Sequence, residues 1–494
     1  MAVKNQVLVE FAPKITPTRI EFIDLETDQS KNKVVEANGQ GFIREAGKIY
    51  PLIEISGMTI SAEEMLSFTL YQNDFLPKIH LSFMDNNYGF TTNQFPTKKP
   101  IVSVFLAPSH TKLKSLSADF LITEIRSITI PDGGIRYDFI GELYVPNLYA
   151  NKSTAYRSMT SIEALRKIAG ELGLGFATNE DRTDDAMTWI NPNLNYKTVI
   201  NQITNRAYKN EKSFFTCFID RNYILTFINV EKQFARDKEI DVTYGGYDNN
   251  IVDEKRYEYD RKETEDYIEI PMVLTHSTGT VRSDMSITDY SLISENGDVL
   301  KSEAFRKNVK WYSHGEKTLD FFVEPISDLN PDGGVSHQTP ELEDFTKNQI
   351  VKWIGVDYQN SHKNYKFARA LNSHNSKELL KNMMKVVLHG ANFSVPRGSR
   401  VKVDIFGELS IQVTAGGYEA DPENTFNDLG EPTGKTRVEN QDGDTRLSDY
   451  YYVKDIITRF RTNPDEEHPF STEMILSKRN WPSASGKLLQ KENE

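Results

Sequence analysis

The stretch MLSFTLYQNDFLPKIHLSFMD, residues 65–85, contains two runs in which apolar and polar residues alternate. In the second run Ile79, Leu81 and Phe83 fall on one side, and Lys78, His80 and Ser82 on the other. That two-residue period is the mark of a strand with one buried face. The pattern continues outward in both directions. KIYPLIEISGMTI (48–60) alternates until Gly57, and IVSVFLA (101–107), ADFLITEIRSITI (118–130) and IRYDFIGELYV (135–145) extend the series. Pro131-Asp132-Gly133-Gly134 reads as the turn between the last two. Short strands with turn signals and no helix between them predict an antiparallel barrel or sandwich over 48–152. Residues 1–47 are expected to form an extended arm, because Pro13, Pro17, Gly39 and Gly41 interrupt any regular pattern.

The period changes at TSIEALRKIAGELGLG, residues 160–175. Thr160 with Glu163 three residues later has the form of a capping box. Ile162, Leu165, Ile168, Ala169 and Leu172 make one apolar helix face, and Gly173 supplies the stop. A second helix is predicted from about Tyr196 to Tyr208, with Val199, Ile200, Ile203 and Ala207 inward. SFFTCFID (213–220) and YILTFINV (223–230) then read as a hairpin around Arg221 and Asn222. Together they predict an α+β insert over 153–235.

Residues 236–378 are predicted to be mixed and mainly β. They include the charge run Asp253-Glu254-Lys255-Arg256, which reads as a solvated surface, a turn at 295–299 and a loop at 330–334. The last region, 379–494, returns to strands. KELLKNMMKVVLHG runs into a strand before Gly390, and Pro396-Arg397-Gly398 reads as a turn feeding Val401, Val403 and Ile405. DYYYVKDIITRF (449–460) and FSTEMILSKRNW (470–481) complete a second β unit. Ahead of these two strands, residues 419–449 form a loop rich in Gly, Pro and Asn, in which only Lys435, Arg437 and Arg446 are basic. No short-period repeat is visible in the sequence.

With 494 residues, 38% of them hydrophobic and 26% charged, the chain is globular and long enough for three or four domains. No apolar run approaches the roughly 18 residues of a membrane helix, and residues 1–11 do not read as a signal peptide. A lone cysteine, Cys217, excludes an internal disulfide framework and a cysteine-built zinc site. A reducing cytoplasm as the place of synthesis fits that count. The formal charge of -13 argues against general nucleic-acid binding, which needs a basic footprint. An acidic balance does suit a passage through which DNA slides, although solubility alone accounts for it equally well.

No catalytic constellation stands out. The sequence has no GxSxG, HExxH, Walker lysine loop or GxGxxG after a strand. Cys217 sits mid-strand with no histidine beside it, the place of a structural thiol. His362, His374 and His389 are the one cluster that suggests a metal, but His362 and His374 lack the i, i+4 spacing of a helical zinc site. The acidic loop offers carboxylates without a rigid pair to act as acid and base. The 23 Tyr, 27 Phe and 4 Trp mostly alternate within strands, where they pack cores rather than sugars. The chain is therefore expected to be no enzyme, with no catalytic, cofactor or metal residues.

Three segments together carry a family resemblance. NDFLPKIHLSFMDNNYGF with NQFPTKKPIVSVFL resembles the first tube domain of contractile-phage baseplate hub proteins. NLYANKSTAYRSMTSIEALRKIAGELGLGFATN through SFFTCFIDRNYILTFINVEKQF is similar to the insert that follows it. GANFSVPRGSRVKVDIFG with YYYVKDIITRFRTNPDEEHPFSTEMILSKRNWP resembles the second tube domain. The resemblance implies a homotrimer in which two antiparallel β tube domains per chain form a pseudo-sixfold ring. Such a ring adapts a hexameric tail tube to a trimeric central spike. It further implies as partners the tail tube protein, the central spike protein and other baseplate proteins. DNA is expected to pass through such a ring without specific binding, with no membrane insertion. The expected place is the virion tail baseplate, assembled in the host bacterial cytoplasm. Two other readings stay open at this point, a tail-associated peptidoglycan hydrolase and a receptor- or glycan-binding tail protein.

Overall fold

The structure, a computed structural model, describes residues 7–18, 51–61, 64–93, 100–106, 116–131, 133–210, 213–234, 287–293, 361–362, 364–376, 382–389, 395–405, 449–461 and 470–478, the single residues 379, 393 and 447, and the backbone course of strands at 32–37, 40–45, 48–49, 273–276, 307–313, 319–323 and 350–355. The charge run at 253–256, the turn at 295–299, the loop at 330–334 and nearly all of the acidic loop 419–449 lie outside the described residues.

The fold is mainly β, as the alternating patterns predict. The expected arm is not without structure. Strand β1 (Leu8–Phe11) pairs within a sheet described below, and β2 (Asn32–Ala37), β3 (Gln40–Glu45) and β4 (Lys48–Ile49) form an antiparallel meander. Gly41 lies inside β3, so it does not break the strand it was expected to interrupt.

The first β unit comprises β5 (Leu52–Ile55), β6 (Met58–Ile60), β7 (Met65–Gln72), β8 (Lys78–Asp85), β9 (Ile101–Leu106), β10 (Leu116–Thr129) and β11 (Ile135–Leu143), with the short helix α1 (Gly89–Asn93). Ile79, Leu81 and Phe83 are buried and Lys78 and His80 are not, as the alternation requires, while Ser82 on the polar side is buried beneath Asp138 and Arg136. Gly133 and Gly134 take φ of +95° and +94° at the β10–β11 turn, a conformation that side chains other than glycine rarely adopt.

The α+β segment follows: β12 (Asn151–Met159), α2 (Ser161–Leu172), β13 (Gly175–Thr178), β14 (Met187–Asn195), α3 (Tyr196–Arg206), β15 (Phe215–Ile219), β16 (Ile224–Asn229) and the single turn α4 (Val230–Phe234). The capping box is formed in full. Thr160 Oγ1 accepts from the Glu163 N–H, and Glu163 Oε2 accepts from the Thr160 N–H at 2.8 Å. Gly173 closes the helix in the left-handed region at φ 72°. Thr160→Ala is expected to cost about 1 kcal/mol, read as a lower urea midpoint at unchanged slope. The second helix ends two residues earlier than predicted, and its inward face is the predicted one. Strand β1 adds to the outer side of β13, so the sheet order is β1-β13-β16-β15. One apolar core runs from the first β unit into this segment without a break, from Ile53 and Phe68 to Leu165, Ile200 and Phe227.

Next come β17 (Val273–His276), β18 (Ile287–Ile293), β19 (Lys307–Ser313), β20 (Leu319–Val323), β21 (Ile350–Gly355) and helix α5 (Tyr365–Asn375). Strands β19–β21 form a separate sheet. The helix was not foreseen, because its segment reads as a polar stretch. The second β unit adds β22 (Met383–His389), β23 (Arg400–Ile405), β24 (Asp449–Arg461) and β25 (Phe470–Ser477). It also recruits β17 and β18, so its strands begin well before residue 379.

The two β units repeat one topology. The first runs β7-β8-β11-β10-β9-β5 and the second β18-β22-β25-β24-β23-β17, the same order of second, third, sixth, fifth, fourth and first strand. The registers agree residue for residue. Phe68 opposite Leu81 corresponds to Tyr290 opposite Val386, and Ile125 opposite Phe139 to Ile456 opposite Met474. Even the bulges coincide: Met65/Ser67 with Ile287/Asp289, and Ile122/Glu124 with Val453/Asp455. One pairing differs, since β5 runs antiparallel to β9 and β17 parallel to β23.

The units join edge to edge. The C-terminal half of β24 pairs antiparallel with β7, from Ile456 opposite Gln72 to Arg461 opposite Ser67, making one 13-stranded sheet. At this seam Phe68, Leu70, Ile456, Thr458 and Phe460 are all 0% exposed.

Candidate functional site: the open face and the two edges of the long sheet

The long sheet has one covered face and one open face. Through the middle strands alternate residues point into the cores and those between them are mostly half-buried or exposed, although Ser82, Tyr452, Asp455 and the whole run Val102–Leu106 of β9 are buried. On the open face, strand parity places Lys78, Arg126, Arg136, Lys385, Arg459 and Arg461 among Glu124, Asp138, Glu142, Asp289, Asp455 and Glu473. Cations and carboxylates are interleaved on this face, and Lys454, half-buried at the β24 bulge, adds a further cation 2.8 Å from Asp455. The charges also meet in pairs. Arg136 lies 2.9 Å from Asp138, Lys385 3.0 Å and Arg459 2.5 Å from Glu473, and Lys78 3.6 Å from Glu142. Ser82 donates to Asp138 as well. Burial works to raise the Glu473 carboxyl, but the hydrogen bonds from Arg459 and Lys385 outweigh it and hold it below the ordinary carboxylate range. Burial lowers His80, which leaves that ring neutral at physiological pH.

Two strand edges of the sheet are open among the described residues. Past its pairing with β9, which ends at Leu121, β10 continues to Thr129 with no strand on that side among the described residues. Among the described residues, strand β18 at the far end pairs with β22 alone. Each edge exposes a large aliphatic side chain, Ile128 at 52% and Leu292 at 55%, the two highest exposures among the large hydrophobic residues described. These residues escaped the sequence reading, because alternation marks which face a side chain takes and not whether a neighbouring strand covers it.

The residues weighed as chemical candidates have structural places. Cys217 is in β15, where burial pushes its thiol up to about 12, far from the reactive range. His362 is buried beside Trp189 and Tyr365, and its Nε2 lies 3.1 Å from the Arg206 carbonyl at the end of α3. Burial lowers its pKa, so the ring is neutral and donates to that carbonyl. Asn372 does the same work from α5, donating to the carbonyls of Asn205 at 3.1 Å and Ala207 at 2.8 Å. These two side chains satisfy carbonyls that a helix end leaves without partners. The side chains of His374 and His389 lie outside the described residues. Among the described residues no three His, Cys, Asp or Glu side chains come together as a metal site. The buried Glu180 carboxylate, held by Lys232 at 2.9 Å and Asn229 at 2.7 Å, reads as a structural ion pair.

A three-way junction holds the units and the α+β segment together. At the Pro396–Ser399 turn Arg397 lies 4.5 Å over the Phe218 ring and donates to the Lys454 carbonyl at 2.8 Å and to the Asp74 carbonyl. It thereby touches the second unit, the first unit and the α+β segment at once. Gly398 beside it adopts φ +84° and donates to the Val453 carbonyl at 2.8 Å.

No protein-family model matches the chain, and no curated protein matches it. Among solved structures it is similar to a tail protein from Neisseria meningitidis MC58, with a TM-score of 0.45 and 10% identity over 87% of this chain and 96% of that one. It is similar to the 43 kDa tail protein of prophage MuSo2 from Shewanella oneidensis, with a TM-score of 0.45 and 8% identity over 87% of this chain and 98% of that one. It is also similar to a component of the type VI secretion system from E. coli, with a TM-score of 0.40 and 9% identity over 87% and 79%.

Proposed function

We propose that the chain is a structural subunit of a contractile-tail baseplate, a hub that works as a homotrimeric ring between tail tube and central spike. The observation that carries this reading is the doubled six-strand unit, joined at a seam that leaves two complementary edges, the outer half of β10 and β18, open among the described residues. Three copies of a chain with two equivalent units present six quasi-equivalent positions, the number that a hexameric tube requires. An oligomer of this kind also removes exposed strand edges, which otherwise invite aggregation.

The open face of the sheet lines the passage in this reading. The two unit cores occupy the opposite face. A wall of interleaved and mutually paired charges gives a phosphate backbone no continuous cationic track, so DNA slides through without being held. The sequence resemblance supplies the partners of the proposal: the tail tube protein, the spike protein and other baseplate proteins. The proposed place is the virion tail baseplate after assembly in the host bacterial cytoplasm.

Light scattering of the purified chain across a range of concentrations is expected to give three times the monomer mass. A monomer at every concentration, or six whole chains in one ring, would sink the reading. The proposal includes no catalysis. Zymography against peptidoglycan is accordingly expected to show no clearing band. Clearing that disappears on mutation of a single carboxylate would favour the hydrolase instead.

A further inference from the structure

We propose that helix α5, together with His362 ahead of it, is an acid-released latch on the α+β segment, closed while the His362 ring is neutral and opened when the ring takes a proton. The latch is a property of the single chain and stands apart from the ring reading. Helix α5 belongs to the chain between β21 and β22, yet its polar contacts are with α3 and β15. Asn372 donates to the carbonyls of Asn205 at 3.1 Å and Ala207 at 2.8 Å, and its Oδ1 accepts from the Phe215 N–H at 3.1 Å. Strand β15 is the last in the order β1-β13-β16-β15, so this one side chain closes a helix end and a sheet edge together. Arg206, the last residue of α3, reaches the other way. Its Nη1 donates to the Tyr365 carbonyl at 3.2 Å, and its guanidinium carbon lies 3.7 Å from the centre of the Tyr365 ring. His362 completes the contact through Nε2, 3.1 Å from the Arg206 carbonyl.

The far side of the His362 ring makes this contact sensitive to a proton. Nε2–H is used on the Arg206 carbonyl, so in the neutral ring Nδ1 carries the lone pair. Nδ1 is buried and has no hydrogen-bond partner among the described residues. A proton there would place a charge and a further N–H donor in a buried position without an acceptor. Burial is the largest influence on the ring and holds its pKa below the ordinary 6.5. Asp185 and Asp184, in the segment before β14, act the other way, and the Arg206 guanidinium on α3 adds to the effect of burial. The Asp185 carboxylate is already engaged, accepting from the Ser161 N–H and the Tyr208 N–H at 2.9 Å each. Trp189 of β14 and Tyr365 of α5 meet the ring with aromatic faces and edges, their centres 6.2 Å and 5.6 Å away.

The direction of the pH dependence follows. When α5 undocks, the ring returns to water and its pKa to about 6.5. Well above that value neither state is protonated, and the latch is at its tightest. As pH falls below it, the open state binds a proton that the closed state refuses. Opening then becomes easier by up to about ten-fold per pH unit, until the pKa of the closed state is reached. Opening exposes the last carbonyls of α3 and the outer edge of β15.

Hydrogen–deuterium exchange of the full-length protein between about pH 7.5 and about pH 5 tests the latch. Protection of residues 361–376 is divided by that of α2, so that the intrinsic pH dependence of amide exchange cancels. In the wild type this ratio is expected to fall below pH 6.5, by up to roughly 30-fold at about pH 5. His362→Gln carries an amide nitrogen in the place of Nε2 and does not titrate, so its ratio should stay level with the latch closed. His374→Gln, on the same helix, should keep the wild-type fall. Asn372→Ala marks the open level and is expected to show it already at about pH 7.5. A level wild-type ratio overturns the proposal. So does a fall that persists in His362→Gln or vanishes in His374→Gln, because another group would then take the proton. His362→Gln at the Asn372→Ala level throughout would equally refute it, since a neutral donor would not be enough to close the latch.

Discussion

Gly398→Ala is expected to destabilise the native state by about 3 kcal/mol, the sum of two separate costs. The backbone at φ +84° is strained for any residue with a Cβ, at roughly 1–3 kcal/mol. The added Cβ would also collide with Ile228 Cδ1 and stand 2.9 Å from Phe218 Cζ, both in the apolar cluster between the α+β segment and Tyr452. Overpacking of that kind typically costs about 1–3 kcal/mol. The measurement is urea denaturation, in which the midpoint should fall markedly. Gly170→Ala serves as the contrast, because nothing lies within 4 Å of its added Cβ on helix α2. It is expected to leave stability unchanged or raise it by about 0.4–1 kcal/mol. Ile228→Ala removes a fully buried side chain and by itself costs about 2–5 kcal/mol, but combined with Gly398→Ala the loss should be smaller than the sum of the two, because the truncation relieves the collision. Strict additivity of the two changes would mean that the predicted collision does not occur.

Leu165→Ala is expected to cost about 2–5 kcal/mol. Leu165 is 0% exposed at the centre of the α2 face, with Ile162, Ile168 and Ala169 beside it in the large core. Truncation there removes apolar contacts and leaves a cavity that a capped helix cannot collapse into. Because the same core continues into the first β unit, the loss should lower the stability of both parts together. Near-UV circular dichroism and far-UV circular dichroism should therefore show coincident midpoints, both shifted. A shift confined to the helical signal would mean that the α+β segment unfolds on its own.

Local chemistry explains which elements were legible before the fold was known. Helix α2 announces itself because cap, apolar stripe and terminal glycine all lie within 14 residues, Thr160 to Gly173, and each acts on its neighbours. The β15–β16 hairpin and the Pro396–Ser399 turn are likewise short-range. Elements that depend on distant partners were missed. Strand β1 has four residues and exists by pairing with β13. Helix α5 buries Ala368, Leu371 and Asn372, and Asn372 is useful only because the last carbonyls of α3 face it. A polar residue with that duty looks like any surface asparagine in the sequence.

The doubled β unit shows where the division lies. Residue types alone determined the strands, their buried faces and the presence of one β-rich region near each end of the chain. Alternation is enforced by the pleat and needs no knowledge of the partner strand. The repeat itself left no visible trace, because a paired position demands an apolar side chain of suitable volume rather than a particular one. Phe68 thus answers to Tyr290, and Phe139 to Met474. Leu70 and Leu292 are the same residue at the same position of the same topology, one fully buried and the other 55% exposed. Only the tertiary structure decides between those two states, since burial is set by whether another strand lies alongside.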